Sequence, residues 1–259
     1  MKLQKLTLLL LLPLALSACS LKPKEDNREK AFLISLTNDE NTKIVLSQRQ
    51  DFTIKEESLY ILSEGFPKFC ETSYSFLPDF EFLDNEQTTY DLGAVSGEDP
   101  RLFFFKYTFY VKNNGNITVD YLMTINFSEE KSGPVALSDV VRLMVFENTA
   151  SSNSHDYSVY AKRSMNTAYD KDGNKTDREF ISVRPNSERE DDEHPLAMSF
   201  IDTNRMYEST VRGFNSDDAM RYTIVLWFEG EDPEAFTEVD QPLEGSFKLK
   251  VDIEAVEAN

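Results

Sequence analysis

Two runs of alternating residues joined by an Asn-Gly dipeptide constrain this chain more than any other feature. From Leu102 to Lys112, the residues Phe103, Phe105, Tyr107, Phe109 and Val111 fall on one side, while Lys106, Thr108 and Lys112 punctuate the other. A step of two is the spacing of a strand. Asn113, Asn114, Gly115 and Asn116 follow, and Asn-Gly supplies the positive φ angles that a tight type I′ turn requires. The chain then returns with Ile117, Val119, Tyr121, Met123, Ile125 and Phe127 set against Thr118, Asp120, Thr124, Asn126 and Ser128. The pattern predicts a long hairpin whose two strands pair and bury one face.

The C-terminus repeats the alternation, with Phe247, Leu249, Val251, Ile253 and Ala255 set against Lys248, Lys250, Asp252 and Glu254. Tyr222 to Phe228 differs, because Ile224, Leu226 and Phe228 share one face while Val225 and Trp227 make the other apolar too. A strand apolar on both faces belongs inside a sheet or beneath a covering element. Further strands are expected at Ala31–Leu36, Phe52–Ile54, Leu59–Leu62, Tyr74–Phe82, Val140–Phe146, Tyr157–Lys162, Phe180–Val183 and Met198–Ile201. For Val140–Phe146 a turn or two of helix, capped by Ser138-Asp139, is the alternative. No segment keeps a helical period over several turns. Many strands separated by Asn, Asp, Gly, Pro and Ser clusters predict an all-β, antiparallel β-sandwich, jelly-roll-like, with irregular loops and little helix. Pro185–Glu193 reads as a solvated acidic loop within it.

The first residues specify an address. Lys2 and Lys5 precede an apolar stretch from Leu6 to Leu16, broken only by Thr7 and Pro13. That stretch is too short for a membrane-spanning helix, which takes roughly 20 apolar residues, and reads as an export signal. It ends in Leu16-Ser17-Ala18-Cys19, which resembles the lipobox of bacterial lipoproteins. The resemblance implies cleavage before Cys19 and a diacylglyceryl group on its thiol. Such a group supplies in one modification the two acyl chains that stable anchoring takes. The expected organisation is a leader over residues 1–18, the lipidated Cys19 with a polar linker over 19–30, and one extracytoplasmic domain over 31–259. The protein is expected at the cell membrane, lipid-anchored on its outer face.

The net charge is −19, and removal of Lys2 and Lys5 with the leader leaves a mature chain near −21. A surface of that sign repels phosphate backbones and anionic headgroups, which argues against nucleic acid and against polybasic docking. Cys19 and Cys70 are the only cysteines, so with Cys19 acylated no internal disulfide forms and the hydrophobic core must stabilise the fold. Cys70 reads as an inert, partly buried thiol. His155 and His194, the only histidines, stand in no catalytic motif and are expected in loops. Asp170, Asp172, Asn174 and Asp177 surround Gly173 with alternate oxygen side chains, a spacing used by calcium loops. The same residues also fit an ordinary turn, and the terminal glutamate of the helix-loop-helix calcium site is missing. Calcium is therefore the one cofactor considered. Glu229, Glu231, Asp232 and Glu234 read first as a solvated charged loop closed by Gly and Pro, and second as a divalent-ion site.

One resemblance extends beyond the lipobox. The strand ending Val111-Lys112-Asn113-Asn114-Gly115-Asn116, with the return from Ile117, resembles the corresponding segment of the TasA and camelysin family of Gram-positive matrix and surface proteins. Arg221 to Glu234, followed by the final alternating strand, is similar to the ends of related exported proteins. The resemblance implies a jelly-roll-like sandwich and, for some members, assembly into extracellular fibres. Those fibre formers carry no lipid, whereas Cys19 would hold the N-terminal segment at the membrane. Ala31–Leu36 is therefore expected to fold into its own domain, with the protein displayed as a monomer or small cluster. The resulting expectation is a non-enzymatic surface lipoprotein with an adhesion, envelope or matrix role. Its partners would be the membrane, through the anchor, and an unidentified protein or envelope polymer. A ligand-binding or calcium-binding module is the alternative.

Overall fold

The computed structural model describes residues 29–62, 68–69, 72, 77–84, 101–133, 135–162, 168–169, 175–176, 197–230 and 244–258. The leader, Cys19, the linker to residue 28, the expected strand Phe180–Val183 and the loop Pro185–Glu193 lie outside them. In chain order the elements are β1 (Lys30–Asn38), β2 (Ile44–Ser47), β3 (Ser58–Leu62), β4 (Lys68–Phe69), α1 (Phe80–Leu83), β5 (Arg101–Leu102), β6 (Phe104–Asn113), β7 (Val119–Ser132), α2 (Leu137–Val140) and β8 (Val141–Thr149). They continue with β9 (Tyr157–Ala161), β10 (Ala168–Tyr169), β11 (Lys175–Thr176), β12 (Met198–Ser199), β13 (Arg205–Phe214), β14 (Ala219–Phe228) and β15 (Gly245–Glu257).

The long strands form two sheets. Sheet A runs β13-β7-β15-β1-β3 and sheet B runs β12-β9-β8-β14-β6-β2. They pack face to face as an all-β sandwich, as the alternation predicts. The pairing is mixed and not purely antiparallel, because β1 runs parallel to β15 and β12 parallel to β9. β1 and β15 are the first and last strands, so no short turn joins them and nothing forces them to be antiparallel. β1 lies inside sheet A between β15 and β3, with Phe32 and Ile34 fully buried. The N-terminal strand thus completes its own domain.

The expected hairpin is a corner instead. β6 pairs with β14 and β2, β7 pairs with β15 and β13, and no ladder joins β6 to β7. The reason lies in the faces of β6, where Lys106 and Thr108 are as buried as Phe105, Phe109 and Val111. A strand covered on both sides needs a central place in one sheet, whereas β7, half-buried, belongs in the other. Asn113 makes the corner. Its buried amide donates to the carbonyls of Ile117 at 2.8 Å and Phe214 at 2.9 Å, and its Oδ1 accepts from the Gly115 amide at 3.0 Å. Gly115 does not occupy the left-handed region, so the type I′ turn is absent.

Between the sheets lies one continuous core that includes Phe105, Tyr107 and Phe109 of β6, Met123 and Ile125 of β7, and Ile224 and Leu226 of β14. A second cluster covers the outer face of sheet B, where Phe104, Met144, Phe146, Val225 and Trp227 pack under Leu83 and Ala197, with Leu77 and Phe82 alongside. β14 therefore sits between β8 and β6 and is buried on both faces, as its composition requires.

Two expected strands give way. Phe52–Ile54 is not a strand, because Phe52 takes a positive φ of 50° while its ring packs on Tyr110 at 6.1 Å. The expected strand Tyr74–Phe82 begins outside the described residues and its Phe80–Phe82 end lies in α1, while Val140–Phe146 resolves into the end of α2 followed by β8. Asn113→Ala would strip a hydrogen bond from the buried Phe214 carbonyl and from the part-buried Ile117 carbonyl, and should cost about 2–4 kcal/mol in urea unfolding. Gly115→Ala should cost under about 1 kcal/mol, since no left-handed conformation is required there.

Candidate functional site

Two polar clusters interrupt the hydrophobic faces. The first lies on the outer face of sheet B. Asp84, just after α1, is buried, and its Oδ2 accepts from Arg221 Nη2 at 2.6 Å and from His155 Nδ1 at 3.0 Å. Its Oδ1 accepts from Thr223 Oγ1 at 3.0 Å, and the Thr223 hydroxyl lies 3.0 Å from that of Thr108. Lys106 Nζ donates to the Phe82 carbonyl at 2.8 Å. The two contacts hold the segment ending at Asp84 down on β6 and β14. His155 stands in the loop between β8 and β9, as expected, yet its imidazole meets the carboxylate. Thr223 bonds the opposite oxygen of that carboxylate and not the ring, so the three do not form a nucleophilic relay.

The second cluster bridges the sheets where β13, an edge of sheet A, faces β8 and β9 of sheet B. Glu147 of β8 accepts from Tyr207 OH at 2.5 Å through Oε2, and from Ser209 Oγ at 3.1 Å through Oε1. Tyr222 OH reaches Oε1 at 3.4 Å and lies 2.7 Å from Tyr121 OH. Tyr121, Tyr207 and Ser209 come from sheet A, while Glu147 and Tyr222 come from sheet B, so the network ties the layers together. Burial first, and then the Glu147 charge, raises the Tyr207 hydroxyl well above the ordinary phenol range. Burial raises Tyr121 and Tyr222 likewise, so all three remain protonated donors.

Glu147, Tyr207 and Ser209 of this network line an open cleft of about 320 Å³ together with Asp156, Tyr160 and Glu208, the two tyrosines being nearly buried. The two rings meet edge to face at 5.3 Å and 83°. Among the described residues that line it, none is Lys or Arg. Glu208 is paired with Arg205 at 2.6 Å, and Glu147 and Asp156 form no ion pair among the described residues. A larger hollow of about 790 Å³ on the outer face of sheet A includes Asp120, whose carboxylate already accepts from the Gly213 amide at 2.8 Å.

The sequence-derived site residues fare differently. Cys19, Cys70, His194, Asp170, Asp172, Asn174 and Asp177 lie outside the described residues, as do Glu231, Asp232 and Glu234. Glu229 does not stand in a solvated loop. Its side chain is fully buried at the end of β14 and accepts from Trp227 Nε1 at 3.0 Å. Among the described residues, no three His, Cys, Asp or Glu side chains converge to hold a metal ion. Asp84 and Glu147 were not singled out by sequence. Each is one acid in a chain rich in acids, and the only local signal is Glu147 at an inward position of an alternating run.

Asp84→Asn should cost about 3 kcal/mol in urea unfolding, because it leaves the Arg221 charge buried without its counter-charge. Lys106 offers a pH test. Burial lowers its pKa to about 8, against the opposing pull of the Asp84 charge. From about pH 8 up to the ordinary lysine range, the unfolded chain holds this proton and the folded chain does not. The contribution of Lys106 to stability therefore increases as pH rises through that window. Compared with Lys106→Met at pH 7 and pH 10, the wild type should gain on the order of 2 kcal/mol at the higher pH. Taking the difference between the two proteins cancels the titrating tyrosines.

No protein-family model matches this chain, and no curated protein or solved structure matches it.

Proposed function

We propose that this chain is a lipid-anchored bacterial surface protein, held by a diacylglyceryl group on Cys19, whose sandwich binds a partner at the cell envelope and does not transform it. The observation that carries the binding half is the state of Glu147. Its carboxylate faces an open cleft but is already hydrogen-bonded by Tyr207 and Ser209. A carboxylate whose two oxygens both accept hydroxyl hydrogen bonds is held in place at the cleft, where its remaining lone pairs can meet a donor on a partner. The His155–Asp84 pair supports the same reading, since its third partner is a threonine on the far side of the aspartate. An adhesion, envelope or matrix role fits a cleft of this kind on a tethered domain.

The anchoring half rests on the Leu-Ser-Ala-Cys sequence after a short apolar leader. The described strands begin at Lys30, so Ser20 to Glu29 would be the leash, which cannot exceed roughly 35 Å. Cys19→Ala should release the protein from sedimented membranes or block its maturation, and the wild-type N-terminus should carry an acyl mass. Equal membrane retention of the two proteins, with no acyl mass on the wild type, would refute the anchor.

A further inference from the structure

We infer that β13 pairs edge to edge with β13 of a second copy of this chain, antiparallel and centred on Thr210, so that the protein forms a closed dimer. This goes beyond the binding role proposed above and does not depend on what the cleft takes. β13 is an edge of sheet A, and from Tyr207 to Val211 it pairs with β7 without a break. Alternate residues of such a strand turn their N–H and C=O groups away from the sheet. Among the described residues, no backbone group from Met206 to Arg212 has a partner on that side. Sheet B covers its β2 edge with the bridge from Leu46 to Glu56, and among the described residues no such bridge covers β13. An uncovered edge is a template for another strand.

The side chains select the occupant. Glu208, Thr210 and Arg212 share one face of β13 and are all exposed. Arg212 forms no ion pair among the described residues. The Glu208 carboxylate holds Arg205 at 2.6 Å through Oε2 and has lone pairs left for a second cation. Residues directly opposite in an antiparallel pair lie on the same face, so the register decides which charges meet. With Thr210 opposite the second copy's Thr210, each Glu208 meets an Arg212, and the two threonines form a favourable cross-strand pair. A centre at Glu208 sets carboxylate against carboxylate, and a centre at Arg212 sets guanidinium against guanidinium. Centres at Ser209 or Val211 leave both charges without an opposite. Register shifts between Arg205 and Tyr207 and between Val211 and Phe214 bound the regular stretch, and a two-fold contact consumes this edge in both copies, which closes the assembly at two. Met198 of β12 and Ile201 of the turn into β13, each 54 % exposed, leave apolar surface beside this edge.

A contact this short is weak in dilute solution, so the test traps it covalently. The full chain carrying Thr210→Cys is purified in mild detergent and oxidised, with the wild type, which retains Cys19 and Cys70, as the background. Directly opposed antiparallel residues lie about 4.5–5.5 Å apart at Cα, within reach of a disulfide. Thr210→Cys should give a dimer whose 210–210 disulfide is identified by mass spectrometry. Val256→Cys, 53 % exposed on β15 and away from this edge, should cross-link far less. Added to Thr210→Cys, either Glu208→Arg or Arg212→Glu should lower the dimer yield about tenfold, and the double reversal, which restores opposite charges in the same register, should recover it. Arg212→Glu changes a side chain that has no ion pair of its own, which covers the case in which Glu208→Arg disturbs the fold, and melting temperatures identify the folded variants. Equal cross-linking of Thr210→Cys and Val256→Cys would overturn the pairing in favour of non-specific or face-to-face contact. No dimer from Thr210→Cys would overturn it and leave the edge to an extended segment of another protein. Single reversals without effect, or a folded double reversal as low as the single ones, would overturn it as well.

Discussion

The two-sided burial of β6 and β14 sets the rest of this structure. Sheet B contains strands with no face to give to water, since every residue from Tyr222 to Phe228 is buried, as is nearly all of β6. One sandwich partner covers only one face. Sheet A covers the inner one, and the segment from Leu77 to Asp84, with Ala197, covers the outer one. The remaining topology follows from that demand. β14 takes partners on both sides, β6 turns out of its sheet at Asn113 instead of folding back on itself, and the half-exposed strands β7 and β15 collect in sheet A, where one face meets solvent.

Covering a sheet twice also encloses polar groups, and several of them are hydrogen-bonded to an element that they hold in place. Lys106 and Asp84 secure the covering segment. Trp227 and Glu229 close the end of β14, where the Glu229 amide also reaches the Val140 carbonyl at 2.8 Å. Tyr121, Tyr222, Tyr207 and Ser209 gather around Glu147 between the layers. A buried network contributes most when every member is satisfied, and a carboxylate with several donors meets that condition more readily than one with none. The Glu147 network differs from the others in position. It lies at the margin of the sandwich, so one side of it remains open to solvent, and a group that ties the sheets also lines a cleft.

The sequence makes the faces legible and leaves the partners hidden. Alternation in Phe105–Val111, Val119–Phe127 and Phe247–Ala255 assigns the inward residues correctly because a step of two is a property of the strand alone, whereas Phe103, which precedes β6, packs with the outer cluster and not with the inner face. The type of connection at Asn113 is not such a property. Asn-Gly satisfies a hairpin turn locally, but the buried outer face of β6 selects a corner, and that burial depends on a covering segment distant in sequence. β13 escapes the sequence reading altogether. Its inward positions include Ser209, its register shifts between Arg205 and Tyr207, and the apolar alternation is thin. The cleft was illegible for the same reason, since its floor joins Glu147 to Tyr207 and Ser209 across 60 and 62 residues of chain. Phe80–Leu83, apolar enough for a strand, becomes a helical turn because it caps a sheet face and has no edge to pair with.

The register of sheet A relates the cleft to the proposed tether. Ile34 of β1 stands opposite Val251, Val251 opposite Ile125, and Ile125 opposite Tyr207. Tyr207 is therefore level with Ile34, three ladders across the sheet from the strand that the tether enters and four residues along from Lys30. In a sheet with strands about 4.8 Å apart and a rise of about 3.3 Å per residue, that is about 14 Å sideways and about 13 Å along. The cleft thus opens at the edge of sheet A remote from β1, displaced from the end at which an anchored chain would leave the membrane. A domain this acidic is repelled by anionic headgroups, so the leash would be held toward its full reach. With the proposed anchor in place, that displacement and that repulsion would keep the mouth between β13 and β9 off the bilayer surface.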